Sequence, residues 1–398
     1  MMTLEELIVP HRLLLGPGPS NVDPRVYKAM MSPVIGYLDP QFLRLLEETQ
    51  EPLRAVFRTT NELTIPISGT GSLGMEAAIY NTVEEGDTVI VAINGFFGLR
   101  MADMARRCGA TVVTVEAPWG QIVEPEQLED ALRRHPETKA VCIVHAETST
   151  GVLQPLLPVV ELAHQYGALL IVDAVTSLAG CPLEVDAWGL DVVYSATQKC
   201  LSAPPGLAPL TLGPRAMELV LKRREPCRSW YVDVTLIRQY YGQPRRYHHT
   251  PPMTMLYALR EALRLILEEG LEERWRRHRR HARALWAGLE AMGLRLHVER
   301  EEHRAPPITT VCVPEGIDEA QVRNGLLERH NIEIGAGFGP LQGRVWRIGL
   351  MGYSSQPQNV LALLHGLEEE LRRQGFPCPP GAGISAASRS LASGGDDA

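Results

Sequence analysis

The chain is poor in the features that would assign it quickly. No apolar run is long enough to span a membrane. The longest, ALLIVDAV, is too short and carries Asp173. Positive charge is not in excess: the formal net charge is −8, which gives no footprint for nucleic acid. The seven cysteines stand singly at 108, 142, 181, 200, 227, 312 and 378, with no CxxC pair or metal-ligand spacing, which implies a reduced, cytoplasmic protein. The N-terminal MMTLEELIVPHRLLL is acidic and lacks a signal-peptide core. No internal repeat is evident, and neither GxGxxG nor GxxxxGKS occurs, so the dinucleotide and Walker readings lack their fingerprints.

What is present is an alternation of strand-like and helix-like segments. ELTIPIS, DTVIVAI, ATVVTVEA, TKAVCIV, ALLIVDAV and LDVVYSA read as strands, most of them separated by helical patterns. This predicts an α/β fold with a mainly parallel sheet, in which ligands bind at the C-terminal strand ends. A smaller α+β domain is expected from about residue 269 to 376, after a large domain over 16–268 and an N-terminal arm over 1–15. Within 41–57, Pro52 predicts an interruption or kink in a helix. Gly270 predicts a break in the long helical pattern from about 253. The basic run ERWRRHRRHAR reads as a solvated helix face. Residues 377–398, rich in Pro, Gly, Ser and Ala, are expected to be disordered.

The stretch YSATQKCLSAPPG (residues 194–206) places Lys199 just beyond a buried strand. A lysine at the lip of a sheet is either a solvated turn residue or a desolvated amine whose lowered pKa suits it to a Schiff base. The loop Thr70-Gly71-Ser72 opens a helix, either as an ordinary capped turn or as a cradle for a phosphate on free N–H groups. Asp173 closes a strand, and Phe96 and Phe97 follow another. Together these are the parts a pyridoxal phosphate enzyme requires: an amine for the aldehyde, an anion site, a carboxylate for the pyridine nitrogen and a ring to stack on it.

On the segments SGTGSLGMEAA, NGFFG, HAETSTGVLQP, IVDAVTSLAG, YSATQKCLSAPPG, YHHTPP and VWRIGLMG, the chain resembles the class V, fold type I pyridoxal phosphate aminotransferases, within them the alanine–glyoxylate and serine–pyruvate group. The resemblance implies a seven-stranded sheet and transamination between alanine or serine and glyoxylate or pyruvate. It also implies that Lys199 forms the Schiff base, Asp173 binds the pyridine nitrogen, Phe97 and Val175 flank the ring, and Thr70, Gly71, Ser72 and Gln198 hold the phosphate. Thr148 would lie near cofactor and substrate. Arg347, with the backbone around Gly18, would take the substrate carboxylate. Tyr247 and Thr250 would reach the other subunit's cofactor in a homodimer. Where Phe97 and Ser72 stand, family members often carry Trp and His. The loop at Gly36-Tyr37, expected to line the pocket, differs from the His-Arg pair of some serine–glyoxylate enzymes. No second arginine is identified for a distal carboxylate.

Two other readings stay open: a lyase or desulfurase of the same class, or another small-substrate aminotransferase such as the 2-aminoethylphosphonate–pyruvate type; and a cofactor-free scaffold. Cys200, beside Lys199, reads as a small buried side chain. Adjacent His248 and His249, taken as pointing to opposite sides of an extended segment, do not suggest a metal site.

Overall fold

The computed structural model describes residues 4–242 and 245–393. The central sheet has seven strands: β1 (Leu63–Ser68), β2 (Thr88–Ile93), β3 (Thr111–Glu116), β4 (Ala140–Val144), β5 (Leu169–Asp173), β6 (Val192–Tyr194) and β7 (Leu207–Leu212). Their spatial order is β1-β7-β6-β5-β4-β2-β3. Only β7 runs antiparallel to its neighbours; the other pairs are parallel. Strands β1, β2, β4, β5, β6 and β7 are buried along their whole length. That explains why they read as continuous apolar runs: both faces are covered, so no polar alternation survives.

Helix α1 (Gly71–Thr82) follows β1, and α2 (Phe96–Arg107) follows β2. A second core forms around the three-stranded sheet of β8 (Ile308–Cys312), β9 (Gly335–Ala336) and β10 (Val345–Gly349), ordered β8-β10-β9. Helices α3 (Leu271–Ala291), α4 (Pro357–Arg373) and α5 (Ala382–Ala392) cover it. The N-terminal segment joins this second core: Leu13 and Leu14 pair in parallel with Ile332 and Glu333, and Leu15 is fully buried there.

Four local expectations change. Of the interruption or kink expected at Pro52, the interruption does not occur: the segment is one 18-residue helix, Pro40–Phe57. An interior proline costs ~3 kcal/mol. Five large side chains of this helix (Phe42, Leu46, Leu53, Val56, Phe57) are buried, and each contributes roughly 1.5–3 kcal/mol, which outweighs that cost.

The tail expected to be disordered contains α5, packed on α3 and α4 through small residues. A Cβ on Gly288 of α3 would come 3.0 Å from Gly383 O, and Ala387 is fully buried. Pro, Gly and Ala, which argued for disorder by composition, here permit the close approach. Residues 394–398 lie outside the described residues.

The basic run is not all solvated. Arg274, His278 and His281 are buried, and Arg274 pairs with Glu269 (2.6 Å) while Nη2 donates to Cys200 O (2.6 Å). Finally, the rings of His248 and His249 do not point apart: their Nδ1 atoms are 2.7 Å from each other, because the segment is irregular rather than extended strand. At Gly270 the chain does break between helices, with φ +86°, a conformation that costs glycine little.

Candidate active site

The C-terminal ends of the parallel strands meet at a cavity of about 270 Å³. Lys199 lies on the irregular turn after β6 and is 8% exposed. Burial, followed by the positive charge of Arg347, lowers its pKa to about 8. Its Nζ donates to Pro17 O. Gly18 makes room for it: at φ +107° it has a backbone few other residues adopt, and a Cβ there would fall 2.6 Å from Lys199 Nζ. The lysine is therefore a desolvated amine in a cavity, not a turn residue in solvent.

Asp173 is the last residue of β5 and is 3% exposed. Its Oδ1 accepts from Val175 N and its Oδ2 from Tyr194 Oη, each at 2.8 Å. Burial pushes its carboxyl up to about 6, against the pull of those two donors and of Lys199. A buried carboxylate with only two donors is poised for a cationic partner. Register explains Tyr194: Asp173 stands directly beside it across the β5–β6 pair.

Next to these segments α1 starts, just after β1, and forms a wall: a Cβ on Gly71 would fall 3.3 Å from Val175 Cγ2. Thr70, its N-cap, makes no side-chain capping bond. The N–H groups of Leu73 and Gly74 turn back to Thr70 O, while no bond to protein is recorded among the described residues for those of Gly71 and Ser72. Two open N–H groups at the positive end of a 12-residue helix suit an anion. Arg100 strengthens that wall: its Nη1 donates to Ser72 Oγ at 3.0 Å, and its guanidinium lies 4.8 Å from the Phe97 ring centroid. Gln198 lines the same cavity with a buried Oε1 that has no partner.

Phe97, Val175 and Thr148 also line the cavity. Phe96 does not; it sits edge-on to Phe97 and against Phe338. Glu147 holds the first turn of α2, accepting from Phe97 N (3.1 Å) and Gly98 N (3.3 Å), and it also accepts from Ser149 Oγ (2.6 Å).

Arg347 comes from β10, on the second core, and is 3% exposed. Nε donates to Ala336 O (2.7 Å) and Nη1 to Thr148 O (3.3 Å); no bond from Nη2 to protein is recorded. Burial lowers its pKa to about 10, so it remains a cation at neutral pH.

Of the thirteen residues singled out from sequence, eleven line this one cavity: Gly18, Thr70, Gly71, Ser72, Phe97, Thr148, Asp173, Val175, Gln198, Lys199 and Arg347. Tyr247 and Thr250 do not. Their hydroxyls lie 3.2 Å apart on the surface, with Tyr247 55% exposed. Tyr37 also stays away from its own chain's cavity and packs on Tyr247, with ring centroids 4.9 Å apart. Sequence reasoning missed Arg100, Tyr194 and Phe338. Arg100 carried a signal, since it follows Phe97 by three positions on one helix and so shares its face. It is a second arginine in the cavity, spent on Ser72 rather than on a distal carboxylate. Cys200 is fully buried, and burial holds its thiol up at about 12.

The model for aminotransferase class V matches residues 15–356. The chain belongs to that family. It is 42% identical to the (S)-ureidoglycine–glyoxylate transaminase of Bacillus subtilis, over 96% of both chains. To the alanine–glyoxylate aminotransferase of Callithrix jacchus it is also 42% identical, over 94% of this chain and 90% of the other. Among solved structures, the alanine–glyoxylate aminotransferase from Nostoc sp. superposes with a TM-score of 0.91 at 50% identity, covering 93% of this chain and 98% of that one. The family is that of fold type I pyridoxal phosphate aminotransferases, and the cavity fits the cofactor on this chain's own atoms: a desolvated amine, an underpaired buried carboxylate and open helix N–H groups. Among the described residues, no helix is long and apolar enough to cross a membrane.

Proposed function

We propose that the enzyme transfers the amino group of a small amino acid, alanine or serine, to glyoxylate or pyruvate. The carrying observation is that Lys199, Asp173 and an Arg347 with an uncommitted Nη2 converge on one small cavity. Pyridoxal phosphate, when bound, supplies the aldehyde that carries the amino group and the ring that withdraws electrons from the reacting carbon.

The chain's residues do the rest. Thr70, Gly71, Ser72, Gln198 and Arg100 would hold the phosphate. Phe97 and Val175 would flank the ring. Asp173 would keep the pyridine nitrogen protonated by charge pairing, and Tyr194 orients Asp173. Lys199 is the amine that would hold the aldehyde between turnovers, and the donor's amino group would free it by taking its place. In its neutral form, which a pKa of about 8 keeps accessible, Lys199 moves the substrate's α-proton as general base. Arg347 takes the substrate carboxylate through the edge left unpaired, with Thr148 and the backbone at Gly18 alongside. Residues 16–268 thus carry the cofactor and 269–376 the carboxylate-binding arginine.

The active sites are completed across a homodimer, by Tyr247 and Thr250 of each subunit reaching the other's cofactor phosphate. Their exposure away from their own cavity supports this reading, as do the exposed apolar side chains Tyr27, Met31, Val34 and Leu38. The seven unpaired cysteines support a cytoplasmic location. A second reading of the donor, ureidoglycine with glyoxylate as acceptor, is favoured by the Bacillus subtilis likeness, whose solved enzyme superposes with a TM-score of 0.95.

The test is single-turnover loss of the cofactor's yellow absorbance on mixing with alanine, serine or ureidoglycine, followed by its recovery with glyoxylate or pyruvate. Lys199→Ala must abolish both band and turnover. Loss of the band with sulfide or ammonia release and no need of a 2-oxo acid would move the enzyme to the lyase reading. For the dimer, inactive Lys199→Ala chains mixed with Tyr247→Phe/Thr250→Val chains should recover activity, because one of the two shared sites is then intact. No recovery in a verified mixed dimer defeats the shared-site reading.

A further inference from the structure

The carboxylate end of the cavity is bounded by a side chain with no task so far. Phe338 lies on the loop between β9 and β10 and lines the Lys199 cavity. Its ring centroid is 3.9 Å from Arg347 Cζ and 5.2 Å from the Phe96 ring. The ring therefore lies against the guanidinium and leans on Phe96 at the start of α2. It is still 39% exposed, so it forms a wall at the mouth rather than part of a core. The loop beneath it is tightly laid: a Cβ on Gly337 would fall 2.1 Å from Leu341 O, and one on Gly339 3.2 Å from the Trp119 ring.

A guanidinium binds carboxylate in its plane, by its N–H edge. With Nε and Nη1 committed to Ala336 O and Thr148 O, the approach is set by Nη2, and one side is closed by Phe338. A carboxylate held there places the α-carbon one bond away and the first side-chain atoms next. Atoms that leave the α-carbon on the Phe338 side meet the ring.

We propose that Phe338 is a specificity-determining residue, whose ring walls the space beside Arg347 and confines the amino donor to a side chain no longer than that of serine. The proposal rests on the alanine or serine reading above, since the ureido group of ureidoglycine is longer than serine's side chain, and wild-type transfer from ureidoglycine as fast as from alanine would overturn it. A ring that only steadied Arg347 would strengthen binding of every donor alike, whereas a wall discriminates by length.

The experiment compares wild type, Phe338→Leu and Phe338→Ala as cofactor-loaded enzymes, with alanine, serine, 2-aminobutyrate and norvaline as donors to glyoxylate. The kcat/KM ratio of norvaline to alanine should rise about tenfold or more in Phe338→Ala, the discrimination a few methylenes provide, with Phe338→Leu between. In parallel, calorimetry on the same proteins should show the affinity ratio of pentanoate to propionate moving in the same direction. A uniform fall for all donors with both ratios unchanged within about twofold overturns the proposal. Should wild type transfer from no donor at all, the transamination reading fails, and the carboxylate ratio alone decides for or against the wall. If Phe338→Ala does not fold, Phe338→Leu and Phe338→Met carry the same comparison.

Discussion

Tyr194→Phe tests the electrostatic design of the site with one oxygen atom. Tyr194 is fully buried, and its ring packs beside Gly74, so phenylalanine keeps the shape. Burial and the neighbouring Asp173 charge push the phenol well above its usual pKa, so it stays a proton donor to Asp173 Oδ2. Removing that donor leaves, among the described residues, Val175 N as the only protein hydrogen bond to the carboxylate. A hydrogen bond to a charged group contributes ~1.5–3 kcal/mol, or about one to two pKa units at 1.36 kcal/mol each. The Asp173 carboxyl, now at about 6, should rise to roughly 7–8 in the apoprotein. Near neutral pH much of it is then protonated and pairs poorly with a protonated ring nitrogen. We expect pyridoxal phosphate to bind the variant about tenfold more weakly at neutral pH, the gap narrowing as pH rises past the shifted carboxyl. Absorbance titration of the apoprotein across about pH 6–9 reads this directly. Equal affinity within about twofold across that range would refute the argument that Tyr194 sets the charge of Asp173.

Asp173 also makes a prediction about stability. Its folded pKa of about 6 lies above the unfolded value of 3.8, so the folded apoprotein binds more protons between them. Its contribution is present at low pH and is lost as pH rises through that window, by roughly 3 kcal/mol. The urea stability of Asp173→Asn apoprotein minus that of wild type should therefore climb between about pH 4 and 6; a flat difference would be inconsistent with an underpaired buried carboxylate. Arg347→Lys should raise KM for the amino donor by about tenfold or more, since a point charge cannot reproduce the planar edge. Steady-state kinetics on cofactor-saturated enzyme would show the effect confined to kcat if this is wrong. Gly288→Ala should cost about 1–3 kcal/mol by pushing Leu364 and Gly383 away, because its Cβ would sit 2.4 Å from Leu364 Cδ1. Thermal unfolding with an unchanged midpoint would show that α5 is not held by this contact.

Strand and helix alternation, the position of Lys199 beyond a strand and the glycine loop at Thr70 were legible locally, because each is a pattern within a few residues. So was the convergence of Lys199, Asp173 and Thr70, since a parallel sheet brings all its C-terminal strand ends to one edge. What composition misjudged, at Pro52 and in the C-terminal tail, was decided by burial against partners distant in the chain. Tyr194 was read as strand, but its hydrogen bond to Asp173 depends on the β5–β6 register, which no single strand contains. Phe338 and Arg347 reach the cavity from a second core, across more than a hundred residues from Lys199. The chemistry of the site was thus written in short segments with fixed periodicity. Which neighbours tune each charged group, and which ring bounds the substrate, came only from packing, because those contacts join atoms that the sequence keeps far apart.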